Sequence, residues 1–503
     1  CDSALDDTGT TFSGMDQNSL GDHPLQGDTH YGSYSLYGSL EQLSDCQEVK
    51  DFIVGRALDQ LQEEYSSYVR QAENDYTYDY ITTGSARGPE VTVMEEASAG
   101  GSGDSANTVK EYTTTNIQVE GVDEPDIVKN TSDTIYHLTN NVLKIIKSWP
   151  ASEFSILSTT EVEGSARDLL LDDYLKQVVV FSQVYSYGDG YIGIPEPFFL
   201  GSSPFYPAQD LSYVKVTVID VSDKENPSVS YSYEIPGNYQ EARMIGSIIH
   251  LVTKNYSPRI ELVDWSINWE ASKDERLKEL KDKLAVNQGL VRQQDLSFWL
   301  QEDGFKKVVS SDNTVTITNE GCQNIYAPSI PSDEGYTRIL SLDLNSEVLS
   351  KTLLLASSHT AYSSFQSIYL LMPRWWWSTE EKTLDSTFIH KFSIDGSDTS
   401  YEASGKVDGQ ILNSFSVDEH EDSLRIATTI RQLEEDGSGD EVFSSINTVN
   451  RISILQQQNN ELKVVGQTEN LAQGERIYSA RFMGRRGYVV TFRQVDPLYS
   501  LDL

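Results

Sequence analysis

Short apolar runs rich in β-branched and aromatic residues alternate with clusters of turn-forming residues from Thr115 to the end of the chain. Strand side chains point alternately to two faces, and turns favour Gly, Pro, Asn and Asp, so this pattern predicts strands rather than helices. Residues 115–503 are therefore predicted to be all-β. The clearest runs are Val214–Val221, Ile248–Thr253, Arg338–Leu344, Ile368–Met372, Phe388–Ile394, Leu424–Thr429, Arg451–Leu455 and Tyr488–Phe492.

Two segments have the spacing of helices instead. From Ser44 to about Arg70 apolar residues recur every three or four positions, with Ser44 or Asp45 placed to cap, so residues 44–83 are predicted to be an amphipathic helix and an extension. Its apolar stripe must be buried, most economically on the flank of the domain that follows. Residues 270–303 combine spaced leucines with dense charge, which predicts one or two helices inserted between strands.

Two further segments are too polar to form a core. Residues 1–43 are rich in Gly, Ser, Asp and Thr, and residues 84–114 contain GSARGPE and ASAGGSGDSAN. Such compositions are typical of flexible connections, so we interpret the first segment as a tether and the second as a linker.

An internal repeat decides the architecture. Ala242-Arg243-Met244-Ile245-Gly246, followed after four residues by Leu251-Val252-Thr253, matches Ala480-Arg481-Phe482-Met483-Gly484 and Val489-Val490-Thr491, and a looser copy begins at Ala166-Arg167. A second element, alternation around an Asp, recurs at Val218–Asp223, Leu340–Leu344 and Tyr499–Leu503. Repeated strand pairs can bury both faces by fanning around a shared axis, which predicts a β-propeller with an N-terminal helix and a helical insertion between blades.

The repeat predicts five units, which begin near residues 134, 213, 337, 387 and 450, and a sixth that has just begun at Asp496. An unpaired strand in that last blade would expose backbone donors and acceptors. One hypothesis is that the propeller is incomplete at the C-terminus and that a separate C-terminal segment completes it. The alternative is closure by the chain's own early strand near residues 117–122.

Two long motifs resemble one family. The segments Thr115–Lys129 (TNIQVEGVDEPDIVK) and Gly474–Tyr499 (GERIYSARFMG, then GYVVTFRQVDPLY) are similar to those of secreted bacterial and archaeal proteins with a C-terminal β-propeller domain distantly related to WD-type repeats. Ser44-Asp45-Cys46 and Gly321-Cys322 agree as well. The resemblance covers about residues 40–503 and implies the fold and an exported location, without an agreed set of catalytic residues.

The net charge of the chain limits the classes of molecule that it can bind. Lys and Arg total 38 against 77 Asp and Glu, a formal net charge of −39. Such a chain repels nucleic-acid phosphates, so nucleic acid is excluded as a partner. No run of 18 apolar residues occurs, so no transmembrane helix is predicted.

The cysteines indicate an exported protein. Cys1 followed by a small polar stretch resembles a bacterial lipoprotein after removal of its signal peptide, which predicts a membrane-anchored lipoprotein of the cell envelope. Cys46 and Cys322 can then form one disulfide, which would stabilise the fold by roughly 2–5 kcal/mol.

Acidic and basic residues near the first motif admit two interpretations. Asp123, Glu124 and Asp126 are suited to bind Ca²⁺, which prefers carboxylate oxygens. They are equally able to pair with Arg167, Arg243 and Arg481, which recur within the repeated element. We favour the structural interpretation, because arginines at repeated positions typically fix strands and turns.

Aromatic clusters are candidate binding residues. Trp375, Trp376 and Trp377 follow Pro373-Arg374 and are predicted to lie on a loop, and Tyr187 and Phe199 belong to an aromatic, Gly- and Pro-rich segment. Such faces bind sugars, peptides or proteins, although they can also pack between blades.

No catalytic motif is present. The chain has no GxSxG, P-loop, dinucleotide fingerprint or HExxH pattern, and its histidines are scattered. The sequence therefore favours a binding or assembly module for a protein or polysaccharide on the cell surface. The alternative is a hydrolase or lyase that acts on an extracellular polymer, with Ca²⁺ as its candidate cofactor.

Overall fold

A computed structural model describes residues 38–74, 117–186, 211–258, 260–300, 304–309, 314–319, 321–329, 335–375, 383–435, 443–491 and 498–503. Its strands form successive antiparallel sheets, which we call blades 1 to 6 in chain order. Hydrophobic clusters fill the space between each sheet and the next, so the core is a series of layers between blades. The predicted β-propeller class is confirmed.

The N-terminal part lies on the outside of the blades. It consists of β1 (Leu40–Leu43) and α1 (Cys46–Asn74), and β2 (Val122–Asp123) opens the next described segment. The carboxylate of Asp45 accepts hydrogen bonds from the amides of Gln47 and Glu48, so Asp45 is the residue that caps α1.

Blades 1 and 2 each contain four consecutive strands. Blade 1 consists of β3 (Val128–Asn130), β4 (Thr134–Thr139), β5 (Val142–Lys147) and β6 (Ser155–Glu161). Blade 2 consists of β7 (Ser165–Asp172), β8 (Gln177–Ser186), β9 (Leu211–Asp220) and β10 (Ser228–Pro236).

Blade 3 is interrupted by the predicted helical insertion. Its first strands are β11 (Asn238–Ile245) and β12 (Ile248–Asn255), followed by α2 (Lys273–Gln293), α3 (Leu296–Leu300), β13 (Gly304–Val309), β14 (Thr314–Asn319) and β15 (Ile325–Pro328). The blade then resumes with β16 (Tyr336–Asp343) and β17 (Val348–Leu354). The hairpin β13–β14 extends blade 2 beyond β10, while β15 and β1 extend blade 3 beyond β17.

Blades 4, 5 and 6 follow without insertions. Blade 4 has β18 (Thr360–Ser363), β19 (Ser367–Trp375), β20 (Asp385–Asp395) and β21 (Asp398–Asp408). Blade 5 has β22 (Val417–His420), β23 (Ser423–Glu435), β24 (Phe443–Gln458) and β25 (Glu461–Gln467). Blade 6 has β26 (Ile477–Met483), β27 (Arg486–Thr491) and β28 (Leu498–Asp502).

The outer strands of blades 4 and 5 touch through a glycine. Ser404 and Gly405 of β21 pair in parallel with Glu461 and Leu462 of β25. A Cβ atom at Gly405 would lie 2.6 Å from the Leu462 carbonyl oxygen, so only glycine permits this approach.

The helices α1, α2 and α3 form, together with β1, a layer on the outer edge of blade 3. We call this layer the crown. Ile53 and Leu61 of α1 are buried against Leu280 of α2 and Trp299 of α3. A disulfide joins Cys46, at the start of α1, to Cys322 before β15. The predicted helices and disulfide are thus confirmed, and the flank on which α1 packs is that of blade 3.

The two sequence repeats correspond to defined strands of a blade. The Ala-Arg element forms the hairpin of the first two strands, in β7–β8, β11–β12 and β26–β27. Gly246 and Gly484 occupy its turn with φ of 61° and 54°, a left-handed conformation that favours glycine. The Asp element forms the end of the third strand, in β9, β16 and β28.

The predicted phase of the units needs correction. Their predicted starts fall on the second or third strand of each blade, because the hairpin pattern does not reveal which strand is innermost. Blade 6 begins at Ile477 rather than Asp496, and among the described residues its third strand, β28, has no fourth strand beside it. The alternative closure by residues 117–122 is wrong, since β2 pairs with β11 instead.

Candidate functional site at the propeller axis

The first strand of each blade lies toward the centre of the fan. Neighbouring blades contact each other there, β3 with β7 and β11 with β18, and the short turn Ser414–Ser416 before β22 contacts both β18 and β26. We call residues 117–129, which cross this region, the axial segment. It contains most of the first family motif.

The axial segment begins at blades 6, 5 and 4. The guanidinium of Arg481 in blade 6 donates a hydrogen bond to the Ile117 carbonyl (3.5 Å). The side-chain amide of Gln118 donates to the Val417 carbonyl of blade 5 (2.8 Å). Gly121 lies against the Phe365 ring of blade 4, close enough that an added Cβ atom would sit 3.4 Å from it.

The segment then reaches blades 3, 2 and 1. Val122 and Asp123 pair with β11 of blade 3. Asp126 exchanges backbone hydrogen bonds with Leu169 of blade 2 (3.1 and 2.9 Å), and the chain continues directly into β3 of blade 1. One short segment therefore contacts all six blades in reverse chain order.

The acidic residues of the segment bind groups of the chain itself. Asp123 pairs with Lys129, whose ammonium lies 2.7 Å from the carboxylate and whose side chain is 5% exposed. The carboxylate of Glu124 accepts a hydrogen bond from the backbone N–H of Gln118 (2.9 Å). A buried ammonium is costly without a partner, so Asp123 holds Lys129 and the turn between them in place.

The calcium site remains a prediction. Within the described ranges, no three His, Cys, Asp or Glu side chains are grouped so that they could hold a metal ion. Asp126 uses a carboxylate oxygen to accept the amide of Ile127 (2.6 Å).

A second charged group lies on the first strands of blades 2 and 3, beside the axial segment. Glu241 forms an ion pair with Arg243 at 2.5 Å. Burial raises the pKa of Glu241 to about 7, with Arg243 opposing the shift and Glu124 adding to it. Burial also raises the pKa of Asp168, although the hydroxyl of Tyr239 donates a hydrogen bond to it.

This group has the chemistry of a proton donor. A carboxyl group with a pKa near neutrality can carry or release a proton at neutral pH. Burial and the nearby charge of Asp168 raise the pKa of Tyr239 well above its ordinary value, so Tyr239 acts as a hydrogen-bond donor rather than a base. Glu241, Asp168 and Tyr239 were missed in the sequence. One sequence feature could have indicated Glu241. It precedes the Ala-Arg pair at the position where Ser165 and Ser479 stand in the other two copies of the repeat.

The three repeated arginines have different environments. Arg243 also donates to the Ala242 carbonyl (2.7 Å), and Arg481 lies over the Phe415 ring at 5.1 Å. Arg167 is exposed at a bulge of β7. The structure thus brings Arg243 and Arg481 to the axis, where they contact backbone and aromatic groups.

The aromatic candidates are only partly covered. Trp375 ends β19, opposite Asp385, rather than lying on a loop. Tyr185 lies in β8, which ends at Ser186, so that part of the aromatic segment is a strand. Five candidate residues lie outside the described residues: Cys1, Tyr187, Phe199, Trp376 and Trp377.

An open groove of about 360 Å³ lies along α2, and none of the residues that line it belongs to the group around Glu241. Val263 and Val286 line it together with the charged residues Glu275, Lys278, Glu279, Asp282 and Lys283. Within the described part of the chain, no helix is both long and apolar enough to cross a bilayer.

The sequence of residues 112–503 matches the family described as "Beta propeller domain". This chain belongs to that family. The family accounts for all six blades, while β1 and α1 lie before the matched region.

Two relatives of this beta propeller protein are archaeal. An uncharacterized protein of Archaeoglobus fulgidus is 25% identical over 451 residues, which cover 79% of this chain and 62% of the relative. An uncharacterized protein of Methanocaldococcus jannaschii is 25% identical over 432 residues, which cover 78% of this chain and 60% of the relative. The chain thus spans about three-fifths of the length of these relatives.

Two solved structures resemble the chain weakly. The N-terminal domain of Nup159 aligns at 9% identity over 75% of this chain and 88% of its own length, with a TM-score of 0.21. Pyrococcus horikoshii acylaminoacyl peptidase aligns at 9% identity over 75% of this chain and 51% of its own length, with a TM-score of 0.25. Likenesses at this level carry no functional argument.

Proposed function

We propose that this beta propeller protein is an extracytoplasmic binding or assembly module, anchored to the membrane through a lipid on Cys1. The observation that carries the proposal is the use of the axial charges: Asp123, Glu124 and Arg481 bind the chain's own groups and fasten the axial segment to the blades. Side chains that already bind groups of the chain itself are poorly placed to bind or act on a substrate, which favours a binding role over a catalytic one.

The charge of the chain supports a surface role. With a net charge of −39 the protein stays soluble and repels anionic polymers, which favours a protein or neutral polysaccharide partner. The disulfide-linked crown supports an oxidising compartment, where such bonds persist.

Partner capture tests the binding role. The protein is purified from its native envelope, and the accompanying polypeptides and sugars are identified by mass spectrometry. We expect Trp376→Ala to reduce capture several-fold without lowering the melting temperature, because tryptophan residues are enriched among those that dominate interface binding energies. Trp269→Ala, which removes an exposed tryptophan of the crown, is the matched control. Equal capture by both variants would exclude Trp376 from the proposed binding surface.

The anchor is tested separately. Cys1→Ser should release the protein from membranes and remove the mass of the lipid from its N-terminal peptide. Retention on membranes by this variant would contradict lipid anchoring.

The second candidate is a hydrolase or lyase that acts on an extracellular polymer. The raised pKa of Glu241, together with Asp168 and Tyr239, is the observation that favours it. Turnover of neutral and acidic polysaccharides should be measured with and without Ca²⁺, using Glu241→Gln and, as a control, the exposed Glu421→Gln. Turnover that only Glu241→Gln abolishes would favour the enzyme, and its absence in all three proteins favours the binding module.

The calcium prediction has its own test. Thermal stabilisation of the wild-type protein by Ca²⁺, lost in Asp123→Asn, would support a site at the axial segment. An equal response of both proteins would place any bound Ca²⁺ elsewhere.

A further inference from the structure

The blades in the middle of the series are buried on both faces. Because successive strand residues point to opposite faces, a run of consecutive buried residues has a neighbour on each side. Such runs occur in each of blades 2 to 5: Val178–Gln183, Tyr336–Leu342, Asp385–His390 and Leu424–Thr428.

Blade 1 is buried on one face only. In β4 buried residues alternate with partly exposed ones, and the buried set, Tyr136 and Leu138, packs on blade 2. The register places the other set on one surface, which we call end face 1. It carries Val128, Ile135, His137, Val142, Lys144, Ile146 and Ile156 together with the polar residues Asn130, Thr139, Thr159 and Glu161, and Ile156 is 57% exposed.

Blade 6 shows the same asymmetry. Ala480, Phe482 and Val489 pack on blade 5. The opposite surface, which we call end face 6, carries Met483, Tyr488, Val490 and Leu498 together with the polar residues Ser479, Arg481, Arg486, Ser500 and Asp502. Met483 is 64% exposed and Leu498 61% exposed. In a ring of blades, the end faces of the first and last blades border the same gap.

Both end faces carry large apolar side chains that are exposed, Ile156 on end face 1 and Met483 and Leu498 on end face 6. Their apolar residues include isoleucine, valine, leucine and methionine. The charged residues that the register places on them are Lys144, Glu161, Arg481, Arg486 and Asp502. Carboxylates outnumber basic residues two to one in the whole chain but not on these faces. Large exposed apolar residues grouped on one face are typical of surfaces that another polypeptide covers.

The third strand of blade 6 ends in the same Asp that, in blades 2 and 3, begins the turn to a fourth strand. In blades 2 and 3 the third strand ends at Asp220 and Asp343, whose carboxylates accept the amides of Ser222 and Asn345 (2.8 and 2.9 Å) in the turn to the fourth strand. Asp502 occupies the same register in β28. The amides of Val221, Leu344 and Leu503 all donate to the residue that precedes the second strand of their blade.

We propose that a further blade-forming polypeptide segment fills the gap between end faces 1 and 6. Its first strand pairs with the edge of β28 that has no partner among the described residues, and its sheet packs against Leu498 and Met483 on one side and Ile156 and Ile146 on the other. This segment continues the layered contact already seen between blades 1 to 6. The archaeal relatives, of which this chain spans about three-fifths, have the additional length for such a segment.

Two other occupants explain less. A second copy of the chain that paired edge to edge through β28 would leave end face 1 uncovered. Direct contact between end faces 1 and 6 would cover both faces but leave the edge of β28 without a partner. The inference does not rest on the ligand-binding role proposed above, since it concerns the completion of the propeller.

Oxidation of Met483 tests the proposal without any substitution. The protein isolated from its own cell envelope is compared with residues 1–503 produced alone, in dilute peroxide. We expect Met483 to oxidise about tenfold more slowly in the native protein, because methionine oxidation follows exposure. The buried Met244 and Met372 serve as references in both samples. Equal oxidation of Met483 in the two samples would overturn the proposal.

Crosslinking identifies the occupant. Leu498→Cys, made in the native cells and labelled with a maleimide–benzophenone reagent, should crosslink to a segment of alternating apolar strands outside residues 1–503. Val348→Cys, exposed at a hairpin of blade 3, should not. Crosslinks from position 498 only to blade 1 of the same chain, or to a second copy of residues 1–503, would overturn the proposal.

Discussion

The middle and end blades differ in how their strands are patterned. In blade 2, Val178, Val179, Val180 and Phe181 form a continuous buried apolar run, whereas in blade 1 the strand Thr134–Thr139 alternates between buried and partly exposed residues. Continuous runs require a sheet on both sides, and alternation requires a sheet on one side. The position of a blade in the series is therefore visible in its hydrophobic pattern.

The largest expected effect comes from matched isoleucines in the two classes of blade. Ile339 of blade 3 is fully buried between sheets, whereas Ile156 of blade 1 lies on end face 1. We expect Ile339→Ala to lower the free energy of unfolding by about 4 kcal/mol, and Ile156→Ala by less than about 1 kcal/mol. Denaturant titration measures both. Similar losses would mean that blade 1 is as well covered as blade 3.

The disulfide should affect one blade edge rather than the whole fold. Cys46 and Cys322 are 276 residues apart in the sequence. A disulfide typically contributes about 2–4 kcal/mol, so we expect replacement of both cysteines by serine to lower the free energy of unfolding by about 3 kcal/mol. Faster amide exchange should be concentrated in α1 and β1. Faster exchange throughout blades 1 and 6 would show that the crown supports more than the edge of blade 3.

The buried histidines of blades 3 and 4 predict acid sensitivity. His250 and His390 contact Ser341 and Ser404 (2.9 and 2.6 Å), and burial lowers their pKa values from 6.5 to about 4 and about 3. As the pH falls below 6.5, the unfolded chain binds protons that the folded chain does not, so stability decreases. Glu241 acts in the opposite direction between about pH 4.5 and 7, because its pKa is raised.

Comparison of wild type with His390→Gln isolates the histidine contribution, since Glu241 is present in both. We expect the wild type to lose about 2 kcal/mol more than the variant between pH 6.5 and 4.5. Denaturant midpoints across this pH range give the difference. Parallel pH profiles would contradict a neutral, buried His390.

The smallest expected effect concerns the axial segment. Arg481→Lys keeps the charge but loses the planar contact with Phe415, so we expect a loss of about 1 kcal/mol. The same substitution at the exposed Arg167 should cost less than about 0.5 kcal/mol. Thermal unfolding separates the two, and equal effects would contradict a special role for Arg481.

Much of the fold could be predicted because it depends on local pattern. The strand runs, α1, the insertion and the hairpin repeat follow from spacing and turn residues. The additions of β1 and β15 to blade 3, and of β13–β14 to blade 2, could not be predicted, because strand order at a sheet edge is set by tertiary packing. The sequence offers residues near 117–122 as a closing strand, but the strand that forms is Val122–Asp123, and its pairing with β11 depends on the path of the whole axial segment.

The candidate site was less predictable for a related reason. Acidic residues of the family motif stood out by their number, yet their partners, such as Lys129 and Gln118, depend on how the segment folds back on itself. Only one residue marks Glu241 in the sequence: it precedes the Ala-Arg pair where the other two copies of the repeat have a serine. Its raised pKa arises from burial between blades, which no local pattern shows.

Peptide-level hydrogen exchange across the whole chain most directly tests the difference between the two classes of blade. In residues 1–503 alone, amides of β8, β12, β16, β20 and β23 should exchange on the order of a hundredfold more slowly than those of β4, β5, β27 and β28, because strands covered on both faces open less often. Equal protection in all six blades, or greater protection in blades 1 and 6, would contradict this account.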